Sequence, residues 1–309
     1  MKVLRLCILL FTAFALVAPV SWTPEAEAAT KKSRSKKNEK YAALVVDANT
    51  GRVLYERHAG ARRYPASLTK MMTLYLTFDA LKKGVLRMEQ TLPVSKKAAS
   101  QPQTNISLNQ GDRLPVKSAI ESLVVRSAND ASLVLAEALG KTQWNFALMM
   151  TKKARQLGMK DTVFRNPHGL PDSKQYTTAY DMARLGIALR RDFPEYFKYF
   201  SLRKFVFNGV TYNTHNHVLK DYKGVDGIKT GYIRASGFNL VTSVKRDGHY
   251  LVAVIMGGRS SKTRDKAMIA LLDRTFARLG KANKNVANQR SNSNAHSDLP
   301  SGEMVAYAQ

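Results

Sequence analysis

What most constrains the fold of this chain is the place where its periodicity changes. Near the N-terminus, "YAALVVDA" and "RVLYERHA" flank "NTG", the pattern of a β-hairpin. Helical spacing then takes over. Met71, Leu74, Tyr75, Phe78 and Leu81 recur on one helix ending near Gly84, and Val116, Ile120, Leu123 and Val124 mark a second. After the break "RSAND", "DASLVLAEALG" reads as another helix, as do "WNFALMMTKKARQLG", stopped by Gly158, and "TAYDMARLGIALRRD" beyond the loop "FRNPHGLPDS". Strand signals return late. "KFVFNGVTYN" centres on Asn208-Gly209, a strong hairpin dipeptide; "GVDGIKTGYI" is a further strand; "GFNLVTSVKRDGHYLVAVIMGG" is two strands joined at "RDG". A last helix spans roughly Thr263 to Leu279, with Met268, Leu271, Leu272 and Phe276 on its apolar face and Gly280 past its end. Strands at both ends around a helical middle predict an α+β fold, with a mainly antiparallel sheet flanked by helices beside an all-helical lobe.

The termini set the domain boundaries. Lys2 and Arg5 precede the short apolar run "ILLFTAFALVAPV", and "AEA" (Ala26–Ala28) offers a small-residue cleavage site, so residues 1–28 read as a secretory signal peptide. Residues 29–40 form a basic, disordered linker, 41–280 the folded domain and 281–309 a polar, disordered tail. The single cysteine, Cys7, leaves with the signal, so the mature chain has no disulfide. No second long apolar run follows, which predicts a soluble protein of the periplasm or cell-wall space. The net charge of +26 would concentrate the protein near anionic polymers. Export argues against nucleic acid and points to cell-wall polymer or an anionic membrane surface, with solubility alone as the plainer reading.

Within this frame "PASLTK" is anomalous. Ser67 would make a natural N-cap, but the third residue after such a cap is usually Glu or Gln, and here it is Lys70. A cation in the first turn faces the positive end of the helix dipole. Three residues apart on a helix, Ser67 and Lys70 share a face, so a neutral Lys70 could take the serine proton. Burial and a second nearby cation both favour that neutral form. Alone, S-x-x-K reads first as a capping serine beside a surface lysine.

Two later motifs change the balance. "SAN" (Ser127–Asn129) sits on the break between two helices, and "KTG" (Lys229–Gly231) lies on a strand. S-x-x-K with S-D-N and K-T-G is the signature of penicillin-binding proteins and class A β-lactamases. With "YPASLTKMMT", "VRSANDAS", "FRNPHGLPDS...YTTAYDMARL" and "VDGIKTGYI", the chain resembles the D-alanyl-D-alanine carboxypeptidases, low-molecular-weight penicillin-binding proteins of serine peptidase family S11, from about Tyr41 to Gly280. Ala128 departs from the glycine of many relatives, though a small residue still fits a tight turn.

The resemblance implies a β-lactamase/transpeptidase-like fold and a set of roles. Ser67 is the expected nucleophile and Lys70 its general base; Ser127, with Lys229, relays a proton to the leaving amine. Asn129 orients Lys70 and binds the substrate backbone. Lys229 also depresses the Lys70 pKa. Thr230 and Arg264 bind the terminal carboxylate, the N–H groups of Ser67 and Tyr232 form the oxyanion hole, and Gly231 lets substrate lie close along the strand. The expected substrate is the peptidoglycan stem peptide, with β-lactams as covalent inhibitors and no cofactor or metal.

Other polar residues have plainer readings. His168 would line the site or hold its loop. His215 and His217 form an H-x-H pair without a carboxylate or cysteine partner, and strand alternation would put both on one face. Asp181 caps or braces a helix. Three rival functions make different demands on the chain. A class A β-lactamase needs a glutamate-activated water, and "DTVFRNPHGLPDS" has no glutamate. A D,D-endopeptidase would cut cross-links instead of the terminal D-alanine, and the short C-terminal region suits it too. A penicillin sensor would need a signalling membrane segment.

Overall fold

The computed structural model of the protein describes residues 40–295, so the signal peptide, most of the basic linker and the end of the polar tail lie outside the described residues. The chain begins with β1 (Ala42–Asp47) and β2 (Val53–Arg57), then enters α1 (Lys70–Lys82) through a 3₁₀ turn, Ala66–Thr69. The helical lobe adds β3 (Thr91–Pro93), α2 (Lys96–Ala99), β4 (Arg113–Pro115), α3 (Val116–Val125), α4 (Asn129–Gly140), α5 (Gln143–Gln156), α6 (Ala179–Asp192) and α7 (Pro194–Phe197). The ribbon β5 (Lys204–Phe207) and β6 (Val210–Asn213) turns at Asn208-Gly209, both at positive φ (47° and 75°), as a two-residue hairpin demands. Then come α8 (Val218–Asp221), β7 (Val225–Ile233), β8 (Gly237–Arg246), β9 (His249–Gly258) and α9 (Ser261–Ala295).

The main sheet has the order β2-β1-β9-β8-β7 and is antiparallel throughout. The N-terminal hairpin thus docks on the C-terminal strands, as the α+β pattern predicts. The inner strands are apolar on both faces because both are covered. On β1, Ala42, Leu44 and Val46 join the core shared with α1 and α6, while Ala43 and Val45 face Met268, Leu272 and Phe276 of α9. On β9, Val252, Val254 and Met256 take the first side and Leu251, Ala253 and Ile255 the second. α1 is buried nearly all round among α3, α4, α5 and α6, which makes it the axis of the helical lobe.

The last helix departs from expectation. It runs through Gly280 to Ala295 rather than stopping at Leu279. A glycine ends a helix by adopting left-handed φ, and Gly280 is not among the residues that do so. No proline follows until Pro300.

Candidate active site

Ser67 lies inside the 3₁₀ turn, not at a cap. Pro65 before it already has helical dihedrals (φ −67°, ψ −28°), Thr69 holds the cap position of α1, and no side chain caps either segment. The capping expectation is therefore corrected: a capping serine needs extended backbone, which this turn does not give Ser67. Three approaches fix the turn. Buried Asn239 of β8 donates Nδ2 to the carbonyls of Tyr64 (3.1 Å) and Pro65 (3.2 Å) and accepts the Gly257 N–H. A Cβ at Gly231 of β7 would lie 3.0 Å from the nitrogens of both Ser67 and Leu68. A Cβ at Gly169, whose φ is +88°, would lie 1.9 Å from the Ala66 carbonyl oxygen. Strand and loop thus close on the turn from two sides; at Gly169 only glycine permits the contact, and at Gly231 a side chain would push the turn away.

Lys70 opens α1 and is completely buried. Its Nζ lies 2.6 Å from the His168 carbonyl oxygen, 2.7 Å from Asn129 Oδ1 and 3.3 Å from Ser67 Oγ. A neutral amine has two N–H donors and one lone pair. The two carbonyl oxygens take the donors, so the lone pair is left for the Ser67 hydroxyl. Burial, then the charge of Lys229, push the Lys70 pKa well below that of a free lysine, and Asp130 partly opposes them.

Ser127 stands at the bend before α4 with φ 64°, and its buried Oγ has no hydrogen-bond partner among the described residues. Ala128 takes an ordinary negative φ (−59°), so glycine is not required there. Asn129 starts α4, and its Nδ2 donates to the Pro102 carbonyl at 2.8 Å while Oδ1 serves Lys70. Asp130 was not anticipated. Its carboxylate accepts from the N–H groups of Ile106 (3.0 Å) and Leu108 (3.2 Å), tying the preceding loop to the head of α4.

Lys229 on β7 is buried, and its Nζ donates to the Thr230 carbonyl at 3.1 Å. Burial first, then the nearby Arg264 charge, lower its pKa to about 7. No hydrogen bond joins it to Ser67 or Ser127; it reaches Lys70 through its field. Arg264 in the first turns of α9 is held by Asp265 Oδ1 (2.9 and 2.7 Å), the Asn239 carbonyl (3.2 Å) and Ser261 Oγ (3.2 Å). Asp265, absent from the sequence reading, keeps this buried guanidinium paired. Asn239 then links it to the Ser67 turn.

These groups surround a cavity of about 460 Å³, bordered by Ser67, Ser127, Asn129, Thr230, Tyr232 and Arg264, with Lys70 and Lys229 buried rather than on its wall. Among the described residues, no aspartate or glutamate borders it. His168 lies on the wall, its ring kept neutral chiefly by burial, with a pKa lowered to about 3. The ring accepts the Leu170 N–H, so the residue both holds its loop and presents a carbonyl to Lys70. His215 and His217 are not on a strand; they lie on the connection after β6, with His217 at the cap of α8. The strand-alternation expectation fails there because β6 ends at Asn213. Both histidines border the cavity, and no group of three metal-ligating side chains occurs among the described residues. Asp181 braces α6 by accepting from Asp161 N and Thr162 Oγ1.

Comparison with known proteins identifies the family. The family model of D-alanyl-D-alanine carboxypeptidase, peptidase S11, matches residues 28–260. The chain is 34% identical over 273 residues to D-alanyl-D-alanine carboxypeptidase DacF of Bacillus subtilis, covering 83% of this chain and 68% of that one. It is 36% identical over 236 residues to DacA of Escherichia coli, covering 74% of this chain and 59% of that one, so it spans only about three fifths of that relative's length. The D-alanyl-D-alanine endopeptidase of E. coli is 29% identical over 256 residues, which cover 78% of this chain and 80% of that one. Among solved structures, penicillin binding protein 5 of Haemophilus influenzae superposes with a TM-score of 0.74 at 35% identity, covering 76% of this chain and 70% of that one.

Proposed function

The chain belongs to the S11 family of D-alanyl-D-alanine carboxypeptidases, and from that premise we propose that it removes the terminal D-alanine of peptidoglycan stem peptides through an acyl-enzyme on Ser67. The observation that carries this reading is the position of Lys70 Nζ, fully buried, with its donors on Asn129 and His168 and its lone pair left for Ser67. Lys70 takes the Ser67 proton as Oγ attacks the penultimate D-alanine carbonyl. The N–H groups of Ser67 and Tyr232 receive the oxyanion, a placement supported by the close approach of β7 to the Ser67 turn at Gly231. Ser127, with Lys229, passes a proton to the leaving amine. Thr230 and Arg264 hold the terminal carboxylate. Water then releases the acyl group.

Penicillin mimics the substrate carbonyl and acylates Ser67. Deacylation is slow, because no carboxylate among the described residues borders the cavity to activate water as in a class A β-lactamase. The protein works in an exported compartment after loss of residues 1–28, with 41–280 as its catalytic domain. No helix among the described residues is long and apolar enough to cross a membrane. Its surplus of basic residues favours anionic wall polymers or membrane surfaces.

A second reading, D,D-endopeptidase, has one observation in its favour: the D-alanyl-D-alanine endopeptidase of E. coli is 29% identical over 256 residues of this chain. Incubation with a pentapeptide and with cross-linked muropeptide separates the two. Release of free D-alanine from the pentapeptide with the cross-link intact supports the carboxypeptidase; cleavage of the cross-link alone overturns it.

A further inference from the structure

Three of the chain segments that border the catalytic cavity continue into a second one. Ser67, Leu170 and Ile233 border the first; Tyr64, Ser173 and Ser236, three residues away along the same segments, border the second, of about 530 Å³. The second cavity therefore lies off the C-terminal end of β7, whereas Thr230 and Arg264 border the first cavity alone.

Its lining is cationic. Lys40, Arg62, Arg63 and Lys174 line it, and among the described residues no carboxylate does. Arg63 is part of the frame: its guanidinium donates to the carbonyls of Lys40 (2.9 Å), Arg62 (2.8 Å) and Tyr41 (3.3 Å). Arg62 lies over the ring of Tyr176, 4.4 Å from its centroid, which orients a flat cation at the wall. Lys174 is exposed. The nearest acid in sequence, Asp172, accepts the backbone N–H of Lys174 and faces Arg165 at 4.0 Å. A planar guanidinium and a lysine on one wall, with tyrosines beside them, suit a carboxylate.

We propose that this cavity is a subsite for a carboxylate carried on the acyl side of the substrate peptide, two or three residues upstream of the scissile bond. The inference rests on the carboxypeptidase reading above. With the terminal carboxylate at Thr230 and Arg264, the acyl side of an extended peptide runs past Tyr232 toward the end of β7. At about 3.3 Å per residue, its second or third residue reaches Ala235 and Ser236. The charge on that residue then meets Arg62 and Lys174, and the site selects acidic stem peptides over their amidated forms.

The test compares kcat/KM on two synthetic peptides that share a D-alanyl-D-alanine end, one with a free carboxylate three residues upstream of the scissile bond and one with an amide in its place. The wild-type protein is expected to favour the acidic peptide by about three- to tenfold at low salt, with the ratio shrinking as salt rises. In the double variant Arg62→Gln/Lys174→Gln the ratio falls to about one, while Arg62→Lys/Lys174→Arg retains a preference. Labelling of Ser67 by penicillin reports that each variant is folded. Equal rates on both peptides for the wild type, or an unchanged ratio in the double Gln variant, overturn the subsite alone. No D-alanine from either peptide overturns the carboxypeptidase reading, and the subsite with it.

Discussion

Asn129 Oδ1 accepts a hydrogen bond from Lys70 Nζ at 2.7 Å, joining the heads of two helices that are 59 residues apart in the chain. The bond holds an amine, itself disfavoured as a cation, in contact with a neutral oxygen. An acceptor without charge aims Lys70 at Ser67 without pulling a proton onto it.

Asn129→Asp puts a carboxylate at that distance and is expected to restore the lysine charge. A carboxylate within hydrogen-bond reach raises a cation's pKa by roughly one to three units. On the acid side of the profile, where acylation follows the neutral fraction of Lys70, Ser67 acylation slows by about ten- to a thousandfold. The acid limb of the pH–rate profile for penicillin acylation should move to higher pH. A slow variant with an unmoved limb would assign Asn129 to substrate binding alone.

Lys70→Arg removes the general base outright, since guanidinium does not deprotonate in proteins. Labelling by fluorescent penicillin is expected to drop by about a hundredfold or more. The site is completely buried beside Lys229, so a larger and permanently charged group should also lower Tm. Normal labelling would sink the assignment of Lys70 as base.

Lys229 titrates near 7 when folded, against an ordinary value of 10.5. Between those values the unfolded chain binds more protons than the folded one, so this residue makes stability rise with pH, by up to about 1.4 kcal/mol per unit. Below pH 7 both states are protonated and its contribution levels off. In urea denaturation, the unfolding free energy of wild type minus that of Lys229→Met should climb from pH 7 to pH 10. A difference independent of pH would mean that Lys229 is not depressed.

Gly169→Ala forces a Cβ onto the Ala66 carbonyl at a left-handed backbone position. The expected cost is about 2–4 kcal/mol, with acylation lost as the Ser67 turn shifts. Calorimetry and penicillin labelling of the same preparation check both effects. Gly51→Ala is the control: its φ is also positive, but nothing lies within 4 Å of the added methyl.

The local elements were legible because each depends on neighbours in the chain. Asn208-Gly209 closes its hairpin, Gly158 follows α5, and the apolar run "AALVV" becomes an inner strand covered on both faces. Ser67, Lys70, Ser127, Asn129 and Lys229 were legible as motifs, although three separate segments carry them. Less visible were residues whose meaning depends on a partner distant in sequence. Asn239 reads as a stray polar residue in a strand, and Asp130 as one more acid at a helix start. His215 and His217 lost their supposed strand and gained a place on the cavity wall.

The sequence alone determined the order of the main-sheet strands and the long helices, because backbone periodicity and turn chemistry act over a few residues; the short elements β3, α2, β4, α7 and α8 carry too few residues to show a period. It also carried the candidate residues, because their chemistry requires those types. Tertiary structure decided whether that chemistry can operate. The low pKa of Lys70 comes from burial by the surrounding lobe and from Lys229 across the cleft. The carbonyl of His168 and the amide of Asn129 that aim it come from other segments. Burial and field belong to the assembled fold, and no spacing within one helix can specify them.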